Sequence, residues 1–279
     1  MTEHASAPTG ILCWRQDRPS PVLAIAPHAG HQVRDELLPS MVASEAQRLT
    51  EEDPGTDRLL RPFPVAIWTQ TSRFEVDLNR PRHSSAYTTP DTCWGIHLYD
   101  ELPTEGLLER SRQRHDEAWA ALDALVDAAV EEFGFCVLLD FHSYCYRRED
   151  PSALWWEHPE KPVFNLGTRG AHPRFRALNR ALLGILRPLR WQGRAVTVGE
   201  NTVFGGGTIH KRQQQRHPGR VVVPSLELVK VFMDEHTGVF CEPDFTHLIQ
   251  EVTAGWVAVL DRLPELLPDL AVQRPYVWR

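Results

Sequence analysis

No run of the 279-residue chain approaches the roughly 18 consecutive apolar residues that mark a membrane-spanning helix. There is no basic excess: 30 Lys and Arg stand against 37 Asp and Glu, a net charge of −7. Neither a nucleic-acid partner nor an anionic membrane surface is advertised by that balance. No C-x-x-C pair occurs among Cys13, Cys93, Cys136, Cys145 and Cys241. A scattered, odd-numbered set reads as reduced thiols, not as a disulfide frame or a zinc knuckle. The opening segment MTEHASAPTG lacks the basic-then-apolar order of a secretory signal. A soluble, cytoplasmic protein is therefore expected. The G-x-x-x-x-G-K-[ST] and G-x-G-x-x-G loops are missing, which removes support for nucleotide-phosphate binding, and so are H-E-x-x-H and G-x-S-x-G. No internal repeat or linker-like shift of composition divides the chain, and its 22 prolines fall singly. One domain over residues 1–279 is the expectation; oligomeric state is not legible.

What is present is an alternation of short apolar runs with amphipathic segments. Pro21 to Pro27, Val65 to Thr69, Phe74 to Leu78, Val163 to Leu166, Ala195 to Val198 and Arg220 to Leu228 read as strands. Val137 to Leu139 reads as a strand buried on both faces. Helical periodicity covers Leu38 to Leu49, Phe175 to Leu189 and Leu248 to Leu263, and is strongest over Glu105 to Phe133. Residues 82–103 and 147–162 read as long loops. The pattern implies an α/β fold with a mixed, largely parallel sheet flanked by helices.

Polar residues gather at the ends of these strands, where open α/β sheets place ligand crevices. His28 follows the first run, Asp77, Asn79 and Arg80 follow Phe74 to Leu78, Asp140 and His142 follow Val137 to Leu139, and Glu227 lies near the end of the last run. Two histidines and a carboxylate with a fourth position open make a hydrolytic zinc site. No local spacing supports pairing His28 with His142; only their shared strand-end context does. Each residue also has a purely structural alternative. His142 could be a core histidine bonded to Asp140, Arg80 could bridge to Asp77, and Glu227 could pair with Lys230 or Arg220. Gly205-Gly206-Gly207 could be a flexible loop, or a backbone that approaches a ligand closely.

Taken in order, PHAG at Pro27 to Gly30, DLNRP at Asp77 to Pro81, DFHS at Asp140 to Ser143, GGTIHK at Gly206 to Lys211 and LEL at Leu226 to Leu228 resemble the N-formylglutamate amidohydrolase family. The resemblance runs from about Ile25 to Asp234. It implies a fold related to zinc carboxypeptidases and aspartoacylases, and a zinc-dependent hydrolase that cleaves the amide of an N-acyl amino acid, N-formyl-L-glutamate first. It makes His28 and His142 zinc ligands and, through a D-x-x-x-D-x-L stretch, Asp53 the third; Glu36 and Glu52 are alternatives. His31 occupies the position at which carboxypeptidases carry a ligating glutamate, and an outer or substrate-contacting role is expected for it.

The same resemblance implies that Asn79 and Arg80 hold the substrate carboxylate, that Gly206 and Gly207 let the chain pass close to the substrate, and that Lys211 meets a second carboxylate. A guanidinium suits a carboxylate because it forms two parallel charge-assisted bonds. Glu227 would be the general base, taking a proton from zinc-activated water and passing it to the departing amine. Thr208 stands where the family often has tyrosine, so another acyl group or amino acid remains open. The rivals are another carboxylate-bearing amide cleaved by the same chemistry, and a non-catalytic binding protein of the same fold.

Overall fold

The computed structural model describes residues 4–6 and 10–271. Its frame is a nine-stranded sheet. The strands in chain order are β1 (His4–Ser6), β2 (Leu12–Gln16), β3 (Val22–Ala26), β4 (Val65–Thr69), β5 (Cys136–Tyr144) and β6 (Phe164–Gly167). Next, β7 (Arg190–Trp191) and β8 (Arg194–Ala195) form a separate antiparallel pair. The chain then returns to the sheet as β9 (Val198–Glu200), β10 (Val221–Val222) and β11 (Ser225–Val229). The sheet order is β1-β2-β4-β3-β5-β11-β6-β9, with β10 also on β5. The steps β4-β3, β3-β5, β5-β11, β5-β10 and β6-β9 are parallel; β1-β2, β2-β4 and β11-β6 are antiparallel. This is the mixed, mostly parallel sheet that the sequence implies.

Every residue of β3 and β5 is buried, because helices cover both faces of the sheet. Val22, Ala24 and Ala26 share one core with Val137, Leu139 and Phe141, whereas Leu23 and Ile25 share the other with Cys136 and Leu138. That is the period-two alternation of a pleated strand. The helices are α1 (Glu45–Glu51), α2 (Glu105–Phe133), α3 (Arg176–Leu186), α4 (Thr208–Arg216) and α5 (Asp244–Leu260), followed by the single turns α6 (Leu263–Leu266) and α7 (Pro268–Ala271). Trp119, Leu122 and Val126 of α2 pack on one face, and Leu178 and Leu182 of α3 with Leu248 and Trp256 of α5 pack on the other. Gly134 ends α2 in the left-handed conformation (φ 84°), its N–H bonded to Val130 O, a stop that glycine makes at no steric cost. No helix among the described residues is long and apolar enough to cross a membrane.

Several boundaries differ from the sequence reading, each for a local reason. Leu38 to Leu49 is not one helix: a 3-10 turn spans Leu38–Ser40, and α1 starts afresh from a capping box between Ser44 and Gln47. Phe74 to Leu78 is not a strand. Glu75 and Val76 N–H groups bond back to Ser72 O, so the segment is a turn, and Glu75 and Asp77 are buried along with Phe74, Val76 and Leu78. Arg220 to Leu228 splits into β10 and β11 at Pro224, which has no N–H to give the ladder. Ala195 to Val198 divides between β8 and β9. The unanticipated α4 is strongly polar and buries only Ile209, His210 and Gln213, too few to show a helical stripe. β1 and β2 were not anticipated either.

Candidate metal and active site

The parallel pairing of β3 with β5 aligns Ile25 with Asp140, and so brings His28, just past the end of β3, beside His142 on β5. Asp53 reaches the same point on the loop after α1. Its N–H donates to His28 O at 2.9 Å, and Thr56 Oγ1 donates to Asp53 O at 2.7 Å. Three donor atoms converge there. His28 Nδ1 and His142 Nδ1 are 3.2 Å apart, and Asp53 Oδ2 lies 3.3 Å from the first and 3.1 Å from the second. Donors about 2.0–2.1 Å from a tetrahedral ion stand roughly 3.3–3.4 Å from one another, so the buried trio can hold a metal ion.

The opposite ring nitrogens are also engaged. His28 Nε2 lies 2.8 Å from Asp77 Oδ1, and His142 Nε2 lies 2.9 Å from Asp140 Oδ1. The Asp77 carboxylate behind His28 fixes the tautomer that leaves Nδ1 free to bind an ion, whereas Asp140 sets a negative charge beside His142 Nε2 without a hydrogen bond to it. Asp77 is itself held by Arg73, at 2.7 Å, and by the Tyr87 hydroxyl. Asp140 accepts from Ser225 Oγ at 2.9 Å, and Asp53 Oδ1 accepts from Ser143 Oγ at 3.2 Å. Burial opposes ionisation of all three acids. The bonds from His142 and His28 outweigh it at Asp53, Arg73 outweighs it at Asp77, and His142 outweighs it at Asp140, so each carboxyl sits below its usual range. Burial likewise opposes charging of His142, but Asp140 and Glu227 hold its pKa well above the usual imidazole value.

The alternative carboxylates are occupied elsewhere. Glu52 is bonded to His31 and Ser72, and Glu36 is an exposed partner of Arg110. His31 therefore braces the neighbour of Asp53 and does not line the cavity.

The donors open into a cavity of about 700 Å³ whose wall also carries Glu227, Asn79, Arg80, Gly206, Gly207 and Lys211. Glu227 is buried, aligned across the ladder with His142, and burial pushes its carboxyl up to about 8. The structural partners considered for it are spoken for. Lys230 donates to the Thr50 and Glu52 carbonyls, and Arg220 to those of Gly134 and Val130. Arg80 does not bridge to Asp77, because Arg73 holds that acid. Arg73, Arg148 and Arg212 on the same wall are paired with Asp77, Glu51 and Asp123. Arg80 and Lys211 thus present guanidinium and ammonium groups to the cavity without a carboxylate partner among the described residues. Asn79 Oδ1 accepts from Ile209 N–H at 3.1 Å, tying α4 to the site.

The glycines have a packing reason. A Cβ on Gly206 (φ 114°) would run into the His210 ring, and one on Gly207 into the Asn79 amide. Sequence reasoning missed Arg73, Tyr87 and Ser225, and it found Asp77 without its role. Their only signal was nearness to the D-L-N-R and L-E-L segments. Ser143 was visible in D-F-H-S, but its bond to Asp53 was not.

Comparison with solved structures places the fold. N-formylglutamate amidohydrolase from Ralstonia eutropha JMP134 superposes with a TM-score of 0.73 at 20% identity, covering 92% of this chain and 99% of that one. The Atu2144 gene product of Agrobacterium tumefaciens superposes at 0.59 and 14% identity, covering 91% and 96%. No match arises among curated protein sequences. The sequence profile of one family, N-formylglutamate amidohydrolase, matches residues 20–229. That span begins just before β3 and ends with β11, so it takes in every strand that delivers a residue to the cavity, and on it this chain belongs to the N-formylglutamate amidohydrolase family.

Proposed function

We propose that the protein is a zinc-dependent amidohydrolase acting on an N-acyl amino acid, with N-formyl-L-glutamate, giving formate and glutamate, as the leading substrate. The observation that carries this reading is the convergence of His28 Nδ1, Asp53 Oδ2 and His142 Nδ1 within 3.3 Å of one another, beside a buried carboxylate, Glu227. His28, Asp53 and His142 would hold the zinc ion, which when bound would supply Lewis acidity to the amide carbonyl and a water of pKa about 7.

The chain's own residues supply the rest. Glu227 takes the proton of the attacking water and returns it to the leaving amine. Arg80 grips the α-carboxylate with two parallel charge-assisted bonds. Lys211, also without a carboxylate partner, meets the second carboxylate of a glutamate. Asn79 holds the Gly207 end of α4 against the site. One domain carries the activity, and the cytoplasm suits its five free cysteines.

The test is an assay of the zinc-loaded protein against N-formyl-, N-acetyl- and N-succinyl-L-glutamate, read as released amine. Release that chelation abolishes and zinc restores is expected. Release indifferent to chelation would overturn the metal; no release from any N-acyl amino acid with zinc bound would overturn the substrate.

A further inference from the structure

Residues 82–103 give no donor to the His28, Asp53 and His142 cluster, yet two aromatic side chains of this loop reach the site. Tyr87 is buried, and Trp94 lines the cavity. The Tyr87 hydroxyl donates to Asp77 Oδ2, while Asp77 Oδ1 faces His28 Nε2. Burial pushes the phenol above its usual range, so the hydroxyl stays a donor. The ring of the same residue lies under the Arg80 guanidinium, whose carbon stands 5.9 Å from the ring centroid. That distance is within the roughly 6 Å reach of a cation–π attraction. Among the described residues no other hydrogen bond, ion pair or ring contact holds that guanidinium.

The Tyr87 ring is itself fixed. Phe74 packs on it at 5.8 Å and Trp94 at 5.6 Å, tilted by 55° and 67°. The Arg73 guanidinium, which also grips Asp77, stacks over Trp94 at 4.5 Å. Trp94 takes a left-handed backbone (φ 56°), a region that a bulky side chain seldom enters. Such strain persists only where the surroundings over-determine it, and here those surroundings are the Arg73 and Tyr87 contacts. One side chain thus touches both ends of the site. Its hydroxyl braces the acid behind a converging donor, and its ring supports the cation that faces the substrate.

We propose that Tyr87 is a positioning residue that sets Arg80 at a fixed reach from the metal donors, its ring acting on the substrate carboxylate through Arg80 and its hydroxyl on His28 through Asp77. This rests on the amidohydrolase reading above and gives the 82–103 loop a part in that site. A fixed reach matters because an amide held a fraction of an ångström off its donors reacts far more slowly.

Calorimetry of L-glutamate binding at saturating zinc reads the ring, and competition with a chelator reads the hydroxyl. Tyr87→Phe keeps the ring, so glutamate affinity should stay within about twofold of wild type while zinc affinity falls roughly 3- to 10-fold, the effect of one hydrogen bond. Tyr87→Leu removes both, and glutamate affinity should drop about 3- to 10-fold below that of Tyr87→Phe. In an Arg80→Ala background Tyr87→Leu should cost glutamate nothing more, since residues that act through one another are not additive. If circular dichroism shows Tyr87→Leu unfolded, Tyr87→Met takes its place, because a flexible thioether fills an irregular gap.

Equal glutamate affinity with and without the ring, or losses that multiply in the double variant, overturns the link to Arg80. Unchanged zinc affinity in Tyr87→Phe overturns the link to His28. Binding is read apart from turnover, so the two readings fail separately. Graded glutamate affinity without hydrolysis of N-formyl-L-glutamate keeps Tyr87 and sinks the hydrolase; hydrolysis with affinity indifferent to the ring does the reverse.

Discussion

Asp77 Oδ1 stands 2.8 Å from His28 Nε2, on the far side of the ring from the nitrogen that faces Asp53 and His142. The contact fixes which way the imidazole points and which nitrogen carries the proton. Asp77→Asn should leave the fold intact and lower zinc affinity about 10- to 100-fold, the usual cost of losing a carboxylate behind a ligating histidine. Asp140→Asn should behave alike through His142. Competition with a chromogenic chelator measures both, and affinities equal to wild type would show that these acids serve the fold alone.

Arg80 faces the cavity without a carboxylate partner among the described residues, so its loss should be felt by substrate before stability. Arg80→Ala should raise KM by about 10- to 100-fold, the worth of hydrogen bonds to a charged group, with a smaller fall in kcat. Arg80→Lys should recover only part, since an ammonium cannot make the paired bonds. An N-acyl amino acid amide should be a poor substrate for the wild type. Equal turnover of acid and amide would remove Arg80 from the binding site.

Glu227 links folding to pH. Its carboxyl is pushed up to about 8 in the fold from an ordinary 4.5, chiefly by burial. The folded state therefore binds more protons than the unfolded one between those values, and stability should fall as pH rises from about 4.5 to about 8. In metal-free protein Glu227→Gln should abolish that loss. Its stability relative to wild type should grow across the window by up to a few kcal/mol. Chemical denaturation at pH 5 and pH 8.5 measures this; an unchanged difference would mean that the Glu227 carboxyl is solvated.

Lys230 is fully buried and donates hydrogen bonds to the carbonyls of Thr50 and of Glu52, the residue before Asp53. Lys230→Met strands the buried Glu52 carbonyl, at about 1–3 kcal/mol, and leaves Thr50 O only the Cys145 thiol. A Tm several degrees lower is expected, with weaker zinc binding because the Asp53 loop loses its anchor. A melt that matches wild type would show that water or a neighbour replaces the ammonium.

The parts of this architecture that could be read beforehand are those that repeat or run. Val22 to Ala26, Val65 to Thr69 and the whole of α2 were legible because apolar runs and helical periodicity are properties of a segment alone. His28 was legible as a strand-end residue; Asp140, His142 and Glu227, read in the same way, lie within β5 and β11, because β5 runs on to Tyr144 and β11 to Val229. Asp53 was not legible in this way, since nothing local distinguishes it from Glu52; it was reached only through a resemblance, and the structure separates the two by giving Glu52 to His31 and Ser72. Asp77 escaped functional assignment because its partner His28 is distant in sequence. Phe74 to Leu78 misled because its apolar residues alternate with Glu75 and Asp77 as in a half-exposed strand, although both acids are buried against Arg34 and Arg73 in a turn.

The most direct measurement of the central claim sets zinc content and amine release of Glu227→Gln beside those of wild type. Glutamine is nearly isosteric and leaves His28, Asp53 and His142 untouched. Both proteins should hold about one zinc per chain, and the variant should hydrolyse the best N-acyl glutamate roughly 10²- to 10⁴-fold more slowly. A variant that loads zinc and turns over at the wild-type rate would contradict the account.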